Sequence, residues 1–232
     1  METHPHTYRR VDEQLRLLRR QLLDMGALVE QQIVNALAAL IERDDVLAKQ
    51  TVIRDRAVNQ IDKEIDELCL YMLARYQPTA GDLRLITTVL KTTTDLERMG
   101  DLAANICERA QELSAEPVLL PLIDIQEMAD TAQRMVRESL DAFVREDIAL
   151  ALKVCAADDQ IDALHGQLFR VLLTYMSENP HSIPRVIRIL SVAKCLERIA
   201  DHATNVAEMV IFMVKGKRIR HIAPVPDRAS LG

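Results

Sequence analysis

Glu97, Asp101 and Asn105 follow one another at intervals of four, and Glu197, Asp201 and Asn205 do the same. On a helix such spacing stacks side chains on one face, a turn apart. Two carboxylates held that close repel each other unless a cation lies between them. Clustered carboxylate oxygens suit hard or borderline cations, so Mg, Mn, Ca, Fe and Zn are all chemically reasonable. Asp62 and Asp162, on the segments that precede, are the candidates to complete each set. A single Glu-x-x-x-Asp is ordinarily solvated helix surface. Two copies, each with an Arg after the Glu (Arg98, Arg198), point instead to a shared task.

Other chemistry is scarce. His202 follows Asp201 and could ligate an ion or hydrogen-bond a ligand, but Leu102 stands at the equivalent place in the other copy. The remaining histidines show no H-x-x-x-H or H-E-x-x-H spacing, and no Walker loop, G-x-G-x-x-G or G-x-S-x-G occurs. Carboxylate-bridged di-metal enzymes draw Glu and Glu-x-x-His ligands into a bundle core, and that pair is missing here. No enzyme is expected.

The elements that carry these residues read as six long helices. Val11, Leu15, Leu18, Leu22, Met25, Val29 and Ile33 step by four and three, which lays one apolar stripe along a helix from about Tyr8 to Arg43. A second helix follows Asp44-Asp45 and stops near Gln77-Pro78, because proline disfavours α conformation in the residue before it. After a turn at Thr79–Asp82, a third runs from about Leu83 to Leu113. The fourth, fifth and sixth span about Leu122–Arg145, Asp147–Glu178 and Ser182–Lys215, with Ser182 as a suitable N-cap and Gly216 as a stop.

Residues 60–110 align with 160–210 at a constant offset of 100 without a gap, including Leu96-Glu97-Arg98 on Leu196-Glu197-Arg198. One three-helix unit is therefore used twice. The stretch from Ser114 to Pro121 holds two prolines four apart and reads as the linker. The expected organisation is all-α: a first three-helix bundle over residues 1–114, a second over 121–216 and a tail over 217–232.

Within each bundle Leu85, Val89, Leu96, Met99, Ala103 and Ile106, repeated by Ile189, Val192, Leu196, Ile199, Ala203 and Val206, form the core faces. The paired carboxylates then project outward. A second apolar strip, Leu83, Ile86 and Leu90 with Ile183, Val186 and Leu190, lies off the core stripe. It reads either as packing beneath the preceding loop or as an interdomain or dimer surface.

Composition narrows the class. The net charge of −6 argues against nucleic-acid binding, and aromatics at 3% leave no base-stacking platform. Apolar runs fall short of a bilayer span, so a membrane-embedded protein is not expected. Residues Met1 to Pro5 carry no secretory signal, which makes the cytoplasm the expected compartment. Cys69, Cys107, Cys155 and Cys195 lack C-x-x-C spacing and read as free thiols.

These residues resemble the PhoU family of bacterial phosphate-transport regulators. The resemblance is carried by Gln77-Pro78-Thr79-Ala80-Gly81-Asp82-Leu83-Arg84, by Thr94 to Asp101 with Asn105, and by Leu196 to Asn205 with Gly216. It implies two three-helix bundles, with metal ions (Fe, Zn, Mn or Mg) held at Glu97, Asp101, Glu197 and Asp201. It also implies negative regulation of the phosphate-starvation response, through contact with the ATPase subunit of a phosphate ABC transporter and with a sensor histidine kinase. A homodimer is expected. The departure is Leu102, where the family commonly has His. The rival expectations are a metal-free helical adaptor and, further off, a di-metal enzyme.

Overall fold

A computed structural model of the protein describes residues 5–117 and 123–217. Six helices make it up: α1 (Pro5–Glu42), α2 (Asp45–Tyr76), α3 (Ala80–Ser114), α4 (Ile123–Arg145), α5 (Ile148–Glu178) and α6 (Ile183–Lys215). Residues 118–121 of the expected linker, Leu122 at the expected start of the fourth helix, and the tail from 218 onward lie outside the described residues. The first three helices pack on one another, as do the last three, giving the two expected three-helix bundles.

Local chemistry explains the boundaries. The α1–α2 and α4–α5 turns are built alike: a residue at positive φ (Arg43 at 60°, Glu146 at 53°) reverses the chain. An Asp then accepts the free amides of the next helix. Asp44 takes those of Val46 and Leu47, and Asp147 takes that of Leu150. Helix α3 starts three residues before the expected Leu83, because Asp82 in its first turn complements the amide end. Ser182 does not cap α6. It closes a 3₁₀ turn over Pro180–Ser182, and its hydroxyl donates to the Asn179 carbonyl at 2.6 Å. Gly216 ends α6 at φ 67°, as its position predicts.

All twelve residues of the two expected core stripes are buried. The bundles meet along a seam in which α3 and α6 run antiparallel, with Arg84 donating to the Met213 carbonyl at one end and Arg188 pairing with Glu112 at the other. Helices α1 and α4 flank it and come close at Gly26, where a Cβ would lie 2.7 Å from a Leu140 methyl. The second apolar strip is not this seam. Ile86 is nine residues from the seam residue Asp95, two and a half turns along, and so faces the opposite way. Ile86 and Val186 are fully buried, on the flank away from the seam. Leu90 and Leu190 lie half-buried against the core, while Leu83 and Ile183 stay exposed. Ile86, Leu90, Val186 and Leu190 thus belong to each bundle's own packing, and only Leu83 and Ile183 are left at the surface.

Among the described residues no helix is long and apolar enough to cross a membrane.

Candidate metal centre

Glu97 and Asp101 lie on the outer flank of α3 beside α2, Glu97 half-buried and Asp101 exposed. Asp62 on α2 is close enough to act electrostatically on Glu97, so the three share one stretch of surface. The structure adds a fourth group, Asp55, about two turns before Asp62 on the same helix face. Burial, first, and then the neighbouring Asp101, Asp62 and Asp55 raise the Glu97 carboxyl above its ordinary value. Asp55 is raised by burial and by Asp101, against hydrogen bonds from Gln32 (3.3 Å) and Asn59 (2.9 Å). Asp62 is raised by burial and by Asp66. Carboxyls that hold one another's protons in this way have a use for a cation.

Gly100 makes the close approach possible. A Cβ there would stand 3.0 Å from Gln32 Oε1 and 3.1 Å from Asp55 Oδ1, so a side chain would push both away. Gln32 Oε1 is itself buried without a hydrogen-bond partner.

The second face is built from Glu197 and Asp201 on α6, with Asp162 on α5. Burial, then Glu197 and Asp162, raise Asp201, while Lys194 and His202 pull the other way. Here a cation is built in: the Lys194 ammonium is in contact with Glu197 Oε2. Thr204 donates to Asp158 at 3.4 Å on the same side.

His202 is not part of this face. Its ring is buried in the seam at 7% exposure, with Nδ1 2.8 Å from Asp95 Oδ1. Asn205 also leaves the motif it was read into: its Nδ2 donates to the same Asp95 oxygen at 3.2 Å. Asn105 is exposed. Asp55, Gln32, Asn59, Lys194 and Asp95 escaped the sequence reading. For Asp55 a signal existed, since seven residues separate it from Asp62 and put both on one face.

The donor set is all carboxylate oxygen, which fits a hard cation rather than a thiolate-seeking one. As the side chains stand, no three His, Cys, Asp or Glu among the described residues converge tightly enough to hold an ion. An ion held there would require Glu97, Asp101, Asp62 and Asp55 to close over the groove between α2 and α3.

A polar basin of about 510 Å³ opens elsewhere, at the end of the seam where α1, α3, α4 and α6 meet. Arg16, Arg19 and Arg84 line it against Asp12, Asp82 and Glu146, a balance that gives no preference for an anion.

The PhoU domain family matches this chain twice, over residues 22–110 and 125–210. The chain belongs to the PhoU family. A protein of Pseudomonas putida named phosphate-specific transport system accessory protein PhoU homolog is 43% identical over 221 residues, 95% of this chain and 86% of that protein. The Escherichia coli accessory protein PhoU is 35% identical, over 96% of this chain and 92% of its own length. Among solved structures, PhoU from Pseudomonas aeruginosa superposes with a TM-score of 0.87 at 43% identity, covering 89% of this chain and 99% of that one. The phosphate transport system regulatory protein PhoU from Streptococcus pneumoniae gives 0.85 at 28% identity, over 91% and 100%. The family is one of accessory and regulatory proteins, not enzymes, as the absence of catalytic motifs led one to expect.

Proposed function

We propose that this protein is a cytoplasmic negative regulator of the phosphate-starvation response, accessory to a phosphate ABC transporter. It works as a homodimer that links the transporter's ATPase subunit to a phosphate-sensing histidine kinase. Its two acidic faces hold divalent or trivalent ions (Fe, Zn, Mn or Mg) through Glu97, Asp101 and Asp62 and through Glu197, Asp201 and Asp162. The observation that carries this reading is the duplicated outer carboxylate face, whose members Glu97, Asp55, Asp62 and Asp201 are all raised by burial and then by neighbouring carboxylates. An ion at each face neutralises it and fixes its shape, so that the surface offered to partners is set before they bind. The names of the relatives support the place in phosphate transport.

A second reading, a metal-free helical adaptor, is favoured by the spread of those carboxylates. One experiment separates the two. Glu97→Ala with Glu197→Ala is expected to keep its helicity while losing the metal found by elemental mass spectrometry on protein purified without chelator or affinity metal. In phosphate-replete cells lacking the native protein, the double variant is expected to leave phosphate-starvation promoters active. Unchanged metal content sinks the site assignment, and a metal-free wild type that still represses those promoters establishes the adaptor.

A further inference from the structure

Across the seam between the bundles a buried carboxylate meets a buried imidazole, with the exposed Asn205 amide at their edge. Asp95, on α3, is 9% exposed and accepts from His202 and Asn205 of α6 through the same oxygen. The repeat relates α3 to α6, so each seam contact has a counterpart with the roles exchanged. For Asp95 and His202 that counterpart is Cys195 and Leu102, both buried. The same fold therefore has a thiol and a leucine in one half of the seam where the other has a carboxylate and an imidazole, with an exposed amide, Asn105 or Asn205, beside each.

We propose that Asp95, His202 and Asn205 form an orienting latch that sets the angle between the two bundles, and with it the angle between the two acidic faces. The apolar counterpart shows that burial at this position has no need of a polar group. What the polar group adds is direction. Apolar side chains such as Leu102, Met99 and Ile106 tolerate a slide or rotation of one helix on another. A buried carboxylate does not, because any displacement leaves it without its donors at a large desolvation cost. The other cross-bundle polar contacts are partly exposed: Arg84 to Met213, Arg185 and Arg188 to Glu116, Arg188 to Glu112 and Arg19 to Glu146 toward the ends, and Arg137 to Glu30 between α4 and α1. Exposed pairs of that kind constrain geometry weakly. The latch also stands next to both motifs. Asp95 is two residues before Glu97, and His202 directly follows Asp201, each on the same rigid helix. Asp95, His202 and Asn205 are positioning residues in this account and touch no ligand. The consequence for the acidic faces rests on the reading of those faces given above; the bundle angle does not.

The test copies the apolar half of the seam onto the polar half. Asp95→Cys with His202→Leu, in the full chain, is expected to fold with wild-type helicity, whereas His202→Leu alone loses stability because it strands the carboxylate. Spin labels carried by noncanonical residues at the exposed positions Glu67 and Gln167, one on each bundle, report the angle by pulsed dipolar spectroscopy. The wild type is expected to give a single narrow distance, and the double variant to lose it, as a shift or a broad distribution. The same narrow distance in a folded double variant overturns the latch. Should that variant not fold, Asn205→Ala, which removes one donor at an exposed position, takes its place: a broadened distance supports the latch and an unchanged one overturns it. The distances are read without metal, so they stand or fall separately from metal content.

Discussion

The first acidic face gathers Asp55, Asp62, Glu97 and Asp101 and has Thr94 where the second face has Lys194. Thr94 turns its hydroxyl back onto the Leu90 carbonyl at 3.2 Å and supplies no charge, whereas the Lys194 ammonium reaches Glu197. The second face also lacks a counterpart of Asp55, since Cys155 occupies that position. Two copies of one motif on one scaffold have thus diverged in their electrostatics. On the first face Arg98 and Lys63 act on Glu97 and Asp62 from a distance, whereas on the second an ammonium is in direct contact with Glu197. A motif match alone does not equate two sites; the residues a turn away decide how much an ion gains by binding.

The largest expected effect tests that difference directly. Thr94→Lys should weaken Mn or Mg binding at the first face by on the order of tenfold, because a tethered ammonium competes for the same oxygens. Lys194→Thr should strengthen binding at the second face by a similar factor. Titration calorimetry on each single variant reads both. If neither affinity moves, the faces differ for a reason other than Lys194.

Acid should separate the faces next. Asp55, Asp62 and Glu97 on the first face, and Asp201 on the second, have carboxyls raised in the folded protein. A group that takes up its proton more readily folded than unfolded contributes stability below its unfolded value, and that contribution is lost as pH rises through the folded one. The metal-free protein should therefore gain stability as pH falls from neutrality to just above the ordinary carboxylate range. Glu112, lowered by its hydrogen bond from Arg188, opposes this only at still lower pH. Thermal melts across that window should show Asp55→Asn with Glu97→Gln flattening the gain more than Asp201→Asn does. An equal loss from both variants would make the faces electrostatically alike.

What could be read from the residues, and what could not, follows the same line. Helical periodicity depends on one helix at a time, so the stripes through Leu85 to Ile106 and Ile189 to Val206 disclosed the cores and, by elimination, the outward carboxylates. The offset of 100 disclosed the tandem bundles. Asp55 leaves no mark in that repeat, because it lies before the matched residues 60–110 and Cys155 stands at its offset position. His202 was read beside Asp201 because the two are neighbours in sequence. On a helix, consecutive residues diverge by more than a quarter turn, and His202 faces the other bundle. Asp95 and Asn205 meet it only once the bundles have docked, and docking leaves no period in either helix.

The smallest effect concerns Gly100 and its counterpart Ala200. Replacing glycine by alanine in a helix interior gains up to about 1 kcal/mol from backbone entropy. At position 100 the new methyl meets Gln32 Oε1 at 3.0 Å and Asp55 Oδ1 at 3.1 Å, so both must retreat by a few tenths of an ångström. Gln32 is almost fully buried and has little room to do so. The two terms oppose each other, and Gly100→Ala should change stability by less than about 0.5 kcal/mol in denaturant titrations. Its ion affinity is the sharper readout. Asp55 moves away from Asp101, so the first face should bind Mn more weakly, while Ala200→Gly costs helix stability and leaves the second face's affinity as it was. A Gly100→Ala variant that gains the full helical increment with unaltered affinity would mean that Asp55 takes no part in the first face, and that the two faces are closer in kind than their neighbours suggest.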